Sequence, residues 1–232
     1  MQSRRAWLRS SLGIGGFLLA PSILTAEEII KFNPRSLAKK IKLSSNENPY
    51  GPSQKVLKAI TESFENACRY PYEYMSELQK KLAKKHGVEP ESIIITGGST
   101  EALKLSGLAV ANQSGEVIAG QPTFLALADY AKSWGATVKW IPVDSNKGYD
   151  LKSIEQNISN KTKMIFLCNP NNPTGTVLSS HEIINLANIN DDSLIVVDEL
   201  YEKFNGDSLL ESIDFEKNNN ILIIQSLSKT AG

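Results

Sequence analysis

Cysteine and histidine are nearly missing from this chain, with two of each in 232 residues. Cys68 and Cys168 lie far apart and follow no disulfide-framework spacing, while His86 and His181 stand alone, so a zinc site is not expected. Cys168 closes an apolar run and reads as a small buried hydrophobe. A charge excess of either sign is absent too: 25 Lys and Arg balance 25 Asp and Glu, for a net charge of +0. That balance gives no electrostatic reason to expect a nucleic acid or an anionic membrane surface as partner. The apolar run from Leu12 to Ala20 is too short to span a bilayer. There is no internal repeat, no low-complexity linker, and after the strands neither a GxGxxG turn nor a GxxxxGK[ST] loop. Gly13, Gly15 and Gly16 sit inside the apolar run and are not read as a phosphate loop. What is present is 41% hydrophobic and 22% charged, an ordinary composition for a chain that buries a core.

The first 26 residues have the build of a secretory signal: basic from Met1 to Arg9, apolar to Ala20, then Pro21 to Ala26 ahead of Glu27 and Glu28. Within it, Ser3-Arg4-Arg5-Ala6-Trp7-Leu8-Arg9 resembles the twin-arginine signal, with Trp where Phe is usual and Arg where Lys is usual. Cleavage after Ala26 would put Leu24 where a small residue is expected. The expectation is export to the periplasm, with no stable membrane insertion once the signal is removed; a frayed N-terminus on a cytoplasmic protein is the alternative. Residues 27–52 read as an N-terminal arm, polar through Lys42 and then dense in turn formers from Leu43 to Pro52.

Residues 53–232 read as the large domain. Ser53 can cap a helix carrying Val56, Leu57, Ile60 and Phe64 at helical spacing, and Met75 to His86 is a second, with Leu78 and Leu82 inward and Gly87 as its stop. From there strand and helix alternate. The strands are predicted at Ile93–Thr96, Val117–Ala119, Thr137–Ile141, Met164–Leu167, Leu194–Val197 and Ile221–Ile224. Helices are predicted from Glu101 to Ala111, through Trp134, from Leu151 to Ile158 and from Ser179 to Ala187. This pattern predicts an α/β fold, a mainly parallel sheet with helices on both faces. In such sheets ligands sit at the carboxyl ends of the strands, so the residues just past each strand carry the argument.

Those residues are chemically specific. Gly97-Gly98-Ser99-Thr100-Glu101 opens a helix with free N–H groups and two hydroxyls, which suits an anion and equally suits a plain capped turn. Asn169-Pro170-Asn171-Asn172-Pro173-Thr174-Gly175 fixes a backbone and offers amides. Asp198-Glu199-Leu200-Tyr201 brings a carboxylate out of an apolar strand, where it needs a cation or must take up a proton. Ser226-Leu-Ser228-Lys229 delivers a lysine among small residues, a setting fit for a Schiff-base amine, with a surface lysine as the plain alternative.

Together the stretches SSNENPYG, RYP, GGSTEAL, QPTF, NPNNPTG, VVDELY and SLSKTAG, in this order, resemble the fold-type I pyridoxal-phosphate aminotransferases, nearest the histidinol-phosphate branch. The resemblance implies the family's large domain, with pyridoxal 5'-phosphate as cofactor. It implies that Lys229 forms the Schiff base and shuttles a proton. It places Asp198 at the pyridine nitrogen, Asn172 and Tyr201 at the ring's phenolic oxygen, and Ser99, Thr100, Ser226 and Ser228 near the phosphate. Phe124 matches the stacking aromatic, often Tyr in the family. Tyr70 matches a residue that reaches the phosphate in a neighbouring subunit, which implies a homodimer. Asn46 and Asn48 match the loop near the substrate.

The implied reaction moves an amino group between an L-amino acid, or an amino-alcohol phosphate resembling histidinol phosphate, and a 2-oxo acid. A pyridoxal-phosphate-dependent decarboxylase of an amino acid phosphate, or an exported binding protein without catalysis, are the alternatives. The family continues beyond SLSKTAG into a phosphate-binding arginine and a small C-terminal domain with a carboxylate-binding arginine. Neither is in this sequence, so the expectation is a fragment of a longer reading frame, the small domain missing and activity lost in the piece alone.

Overall fold

The computed structural model describes residues 43–112 and 114–230. The predicted signal, most of the predicted arm, and Ala231 and Gly232 of the terminal motif lie outside the described residues. By internal contacts the described chain forms two compact units, one of residues 43–45 with 52–69, the other of residues 46–51 with 70–230. The smaller unit holds α1 (Gln54–Glu62) and a 3-10 turn at Phe64–Asn66. Ser53 caps α1 as its sequence suggests, its hydroxyl accepting from the Val56 N–H at 3.3 Å.

In the larger unit, α2 (Tyr72–His86) ends at Gly87, whose φ of 67° is a left-handed conformation that favours glycine. Next come α3 (Ser99–Ala111), β1 (Glu116–Gln121), α4 (Ala126–Ser133), β2 (Thr137–Pro142), α5 (Leu151–Asn157) and β3 (Thr162–Cys168). They are followed by α6 (Ser180–Ile189), β4 (Leu194–Asp198), α7 (Glu202–Asn205) and β5 (Ile221–Ile224). The five strands are all parallel, in the order β2-β1-β3-β4-β5.

Alternation along the strands builds a core on each face. Ile118, Ile165, Leu167, Ile195 and Val197 pack on one side with Ile154 of α5 and Ile183 and Leu186 of α6. Val117, Ala119, Met164, Phe166 and Val196 pack on the other with Leu103 of α3 and Leu127 of α4. The predicted parallel sheet covered by helices on both faces is therefore what forms. On the second face α3 and α4 approach so closely that a Cβ on Gly107 would lie 2.9 Å from the Ala131 backbone nitrogen.

Two local expectations fail. Ile93–Thr96 pairs with no strand among the described residues, and Ile94 is 76% exposed. Three consecutive isoleucines report β-propensity, whereas a strand also needs a partner, and here the Ile93 carbonyl accepts from the Gln79 side chain at 2.7 Å. Leu78 of α2 does not point inward; it is 41% exposed, and only Ala83 of that helix is buried. Amphipathic spacing identifies a face that wants cover without specifying what covers it.

Candidate active site

The carboxyl ends of β1, β3, β4 and β5 share one edge of the sheet, and the register aligns Cys168, Asp198 and Ile224 across it. Two acids leave β4 there, Asp198 and Glu199, each 2% exposed. Glu199 is fully occupied, accepting from Ser208 Oγ at 2.7 Å, the Leu209 N–H at 2.7 Å and Gln225 Nε2 at 3.0 Å. Asp198 accepts only from the Leu200 N–H, at 3.2 Å, and among the described residues it forms no ion pair. Burial pushes its carboxyl up to about 6, against the pull of that N–H and of the Lys229 charge. The distant Arg or Lys that could have satisfied Asp198 structurally is not there among the described residues. A buried carboxylate short of a cation suits a cationic ring N–H.

The asparagine loop after β3 divides its labour in the same way. Asn169 closes on Leu178, donating to its carbonyl at 3.0 Å and accepting its N–H at 2.8 Å. Asn171 donates to the Pro122 carbonyl at 3.1 Å and to Thr174 Oγ1 at 2.8 Å, and accepts from Thr123 Oγ1 at 2.7 Å. These two amides are spent on shape. Asn172 is half-buried, and its amide makes no hydrogen bond among the described residues, leaving it free for a ligand.

Sequence reading missed Tyr149, which lies outside every motif. Its buried hydroxyl accepts the Cys168 N–H at 2.9 Å and lies 3.0 Å from both Thr123 Oγ1 and Asn171 Oδ1. One phenol thus joins the exit of β3 to the loop after β1, beside Phe124. Burial raises its pKa well above the ordinary tyrosine value. Gly120 makes room for it, since a Cβ there would fall 2.5 Å from the Tyr149 ring. The available signal was a Tyr at the start of a helix and a Gly inside a strand. Cys168, buried as expected, has its thiol pushed up to about 12, chiefly by burial and then by the Asp198 charge.

Lys229 lies beyond β5, half-buried, and donates to the Asn46 backbone carbonyl at 3.0 Å. Its ammonium also sits 5.6 Å from the centroid of the Tyr201 ring, within cation–π range. Asn46 in turn donates from its side chain to the Tyr201 hydroxyl at 3.0 Å, and Asn48 donates to the Thr230 carbonyl at 3.4 Å. An open cavity of about 320 Å³ brings Asn46, Asn172 and Tyr201 together with Phe204 and Asn205.

The remaining predicted residues sit around this edge less tightly. Ser99 is buried and Thr100 exposed at the start of α3, where no side chain caps the helix. Glu101 folds back to accept the Gly97 N–H, so part of that anion cradle is already filled by its own carboxylate. Ser226 Oγ donates to Ser228 Oγ at 3.1 Å and accepts the Ser228 N–H at 3.2 Å. Phe124 is 36% exposed after β1, and Tyr70 is 83% exposed and stacked on Tyr72 at 5.5 Å. The structure does not bring Tyr70 into contact with the other predicted residues.

Known proteins share this architecture. Histidinol-phosphate aminotransferase 2 of Haemophilus influenzae is 38% identical over 195 residues, covering 83% of this chain and 53% of that protein. The crystal structure of histidinol-phosphate aminotransferase from Clostridium acetobutylicum superposes with a TM-score of 0.69 at 25% identity, over 80% of this chain and 55% of that one. L-threonine-O-3-phosphate decarboxylase from Porphyromonas gingivalis gives 0.67 at 25%, over 80% and 54%. The chain thus spans about half the length of the curated relatives it matches. The sequence profile of the aminotransferase class I and II family runs from residue 38 to residue 232, and the chain belongs to that family.

Proposed function

We propose that this chain is the cofactor-binding part of a pyridoxal-phosphate-dependent transaminase. The observation that carries the reading is Asp198, buried to 2% exposure at a strand end and short of a cation. The residues present fit the cofactor: Asp198 would hold the ring nitrogen, Asn172 and Tyr201 the ring oxygen, Phe124 the ring face, and Ser99, Thr100, Ser226 and Ser228 the phosphate. When bound, pyridoxal phosphate supplies an electron sink for the pair left when a bond to the substrate's Cα breaks. Lys229 would carry the aldehyde at rest and, once displaced by substrate, take the proton from Cα. Asn46 and Asn48 flank the substrate.

The amino donor in this reading is an L-amino acid or an amino-alcohol phosphate resembling histidinol phosphate, and the acceptor a 2-oxo acid. Support comes from the relatives, named as histidinol-phosphate aminotransferases. The likeness to a phosphothreonine decarboxylase favours a second reading, decarboxylation of an amino acid phosphate. Release of carbon dioxide without amino transfer would select it. Two further parts belong to the same proposal: a homodimer in which Tyr70 reaches the phosphate of a second copy, and export through the twin-arginine signal. Replacing Arg4 and Arg5 together by Lys in a fusion of residues 1–30 to a reporter should abolish export; an unchanged location defeats that part.

The central test is chemical. The chain is incubated with pyridoxal phosphate, reduced with borohydride and mapped by peptide mass. A reduced pyridoxyl adduct confined to Lys229 is expected. A folded chain with no adduct, or with adducts scattered over surface lysines, defeats the reading.

A further inference from the structure

The loop at Asn46 to Gly51 contacts the sheet unit and clusters with it, apart from the segments on either side in sequence. Ser45 (φ 73°) and Asn46 (φ 45°) are both left-handed without being glycine, a conformation that residues with a Cβ adopt only where surrounding contacts hold it. The contacts are those of Asn46, which works from both ends. Its amide donates to the Tyr201 hydroxyl at 3.0 Å across 155 residues of chain, and its carbonyl accepts from Lys229 Nζ at 3.0 Å across 183. Asn48 clips the next turn to the Thr230 carbonyl at 3.4 Å. None of this is needed to build the sheet, since Asn46 is itself exposed.

We infer that Asn46 is a positioning residue that restrains Lys229 before the cofactor is loaded and orients Tyr201 for it; the inference rests on the function proposed above. Two consequences follow from the donors and acceptors. A Tyr201 oxygen that accepts the Asn46 N–H keeps its own proton to give to the ring oxygen. The Asn46 carbonyl that accepts from Lys229 Nζ ties down the nitrogen that loading needs free. In loading, the ammonium releases one proton to solvent and its nitrogen bonds the aldehyde carbon. The aldehyde oxygen then leaves as water with the two hydrogens remaining on nitrogen. The Lys229 to Asn46 bond must break first, so the loop sets how readily the lysine is loaded.

The test follows the growth of imine absorbance after mixing the 232-residue chain with pyridoxal phosphate, for wild type, Asn46→Gly and Asn46→Asp. Glycine tolerates the left-handed φ but removes the clip to Tyr201, and loading should quicken about fivefold, the factor that one net hydrogen bond represents. Asn46→Asp keeps the size but places a carboxylate beside the ammonium, and loading should slow by a similar factor. Opposite signs separate a positioning role from a structural one, which would move both variants in the same direction. Equal rates in all three chains, or two variants displaced the same way, overturn the inference and leave the cofactor reading intact. A folded wild type that never loads, or a Lys229→Ala chain that loads equally, overturns the cofactor reading and the inference with it.

Discussion

Asp198 and Glu199 are adjacent, equally buried, and differ only in what their neighbours donate. The consequence for Asp198 is measurable. Its pKa rises from 3.8 to about 6 on folding, so between those values the folded chain holds a proton that the unfolded chain has lost. Its stabilising contribution is fully present below pH 3.8 and fades as pH rises through about 6, by on the order of 3 kcal/mol. Asp198→Asn should therefore stabilise the unloaded chain above pH 6 and flatten that part of the profile. Urea unfolding at pH 4.5 and 7.5 checks this; a destabilised Asn variant at pH 7.5 would mean that Asp198 has a cation partner after all. Tyr149 makes the opposite case. Tyr149→Phe strands the Cys168 N–H, a buried donor, and should cost about 1–3 kcal/mol in urea unfolding. Since the phenol also pins Thr123 and Asn171, the loss should exceed that of Tyr130→Phe, whose ring lies on α4 stacked against Trp134.

Between elements, α3 and α4 approach closely, backbone against backbone, at Gly107. Gly107 permits it, because a side chain there meets backbone at 2.9 Å, which cannot rotate away. Gly107→Ala gains helix propensity, worth about 1 kcal/mol in an open helix, but must push the two helices apart. The net expectation is a destabilisation of about 1–3 kcal/mol with a lowered Tm; an unchanged or raised Tm would show that the two helices separate at little cost. At the edge of the sheet the same logic operates through loops. Asn169 and Asn171 are consumed in fixing the turn, so that the third amide, Asn172, is offered outward on a rigid support.

At the scale of the whole molecule, apolar side chains remain uncovered on the described surface: Tyr70, Tyr72 and Tyr74 are 57% exposed or more, and Met75 and Leu78 over 40%. A run of this kind within one stretch of chain is a common mark of an interface. Under the proposed homodimer, Leu78→Glu should shift sedimentation from dimer to monomer without changing the far-ultraviolet dichroism. A wild-type chain that sediments as a monomer at micromolar concentration would remove both the dimer and the role of Tyr70 in it.

How far the sequence reached can be followed residue by residue. Strand-like runs of three to five residues located all five strands of the sheet, most of them continuously apolar because burial on both faces leaves such a signal. Position at or beyond a strand end, where a parallel sheet collects its ligand groups, drew attention to Asp198 and Lys229, and the resemblance carried by the ordered motifs added Asn172 and Tyr201. The apolar run that Cys168 closes likewise marked it as a small buried hydrophobe, as it is. Three matters were decided only in three dimensions. Whether Ile93–Thr96 forms a strand depends on a partner, and whether Leu78 is covered depends on a neighbour, and neither is written locally. Which of two adjacent acids, or of three asparagines, is left unpaired depends on donors from remote segments: Ser208 and Gln225 for Glu199, Thr123 and Tyr149 for Asn171. The meeting of Asn46 with Lys229 joins positions 183 residues apart, and no local pattern encodes a contact that only chain closure creates.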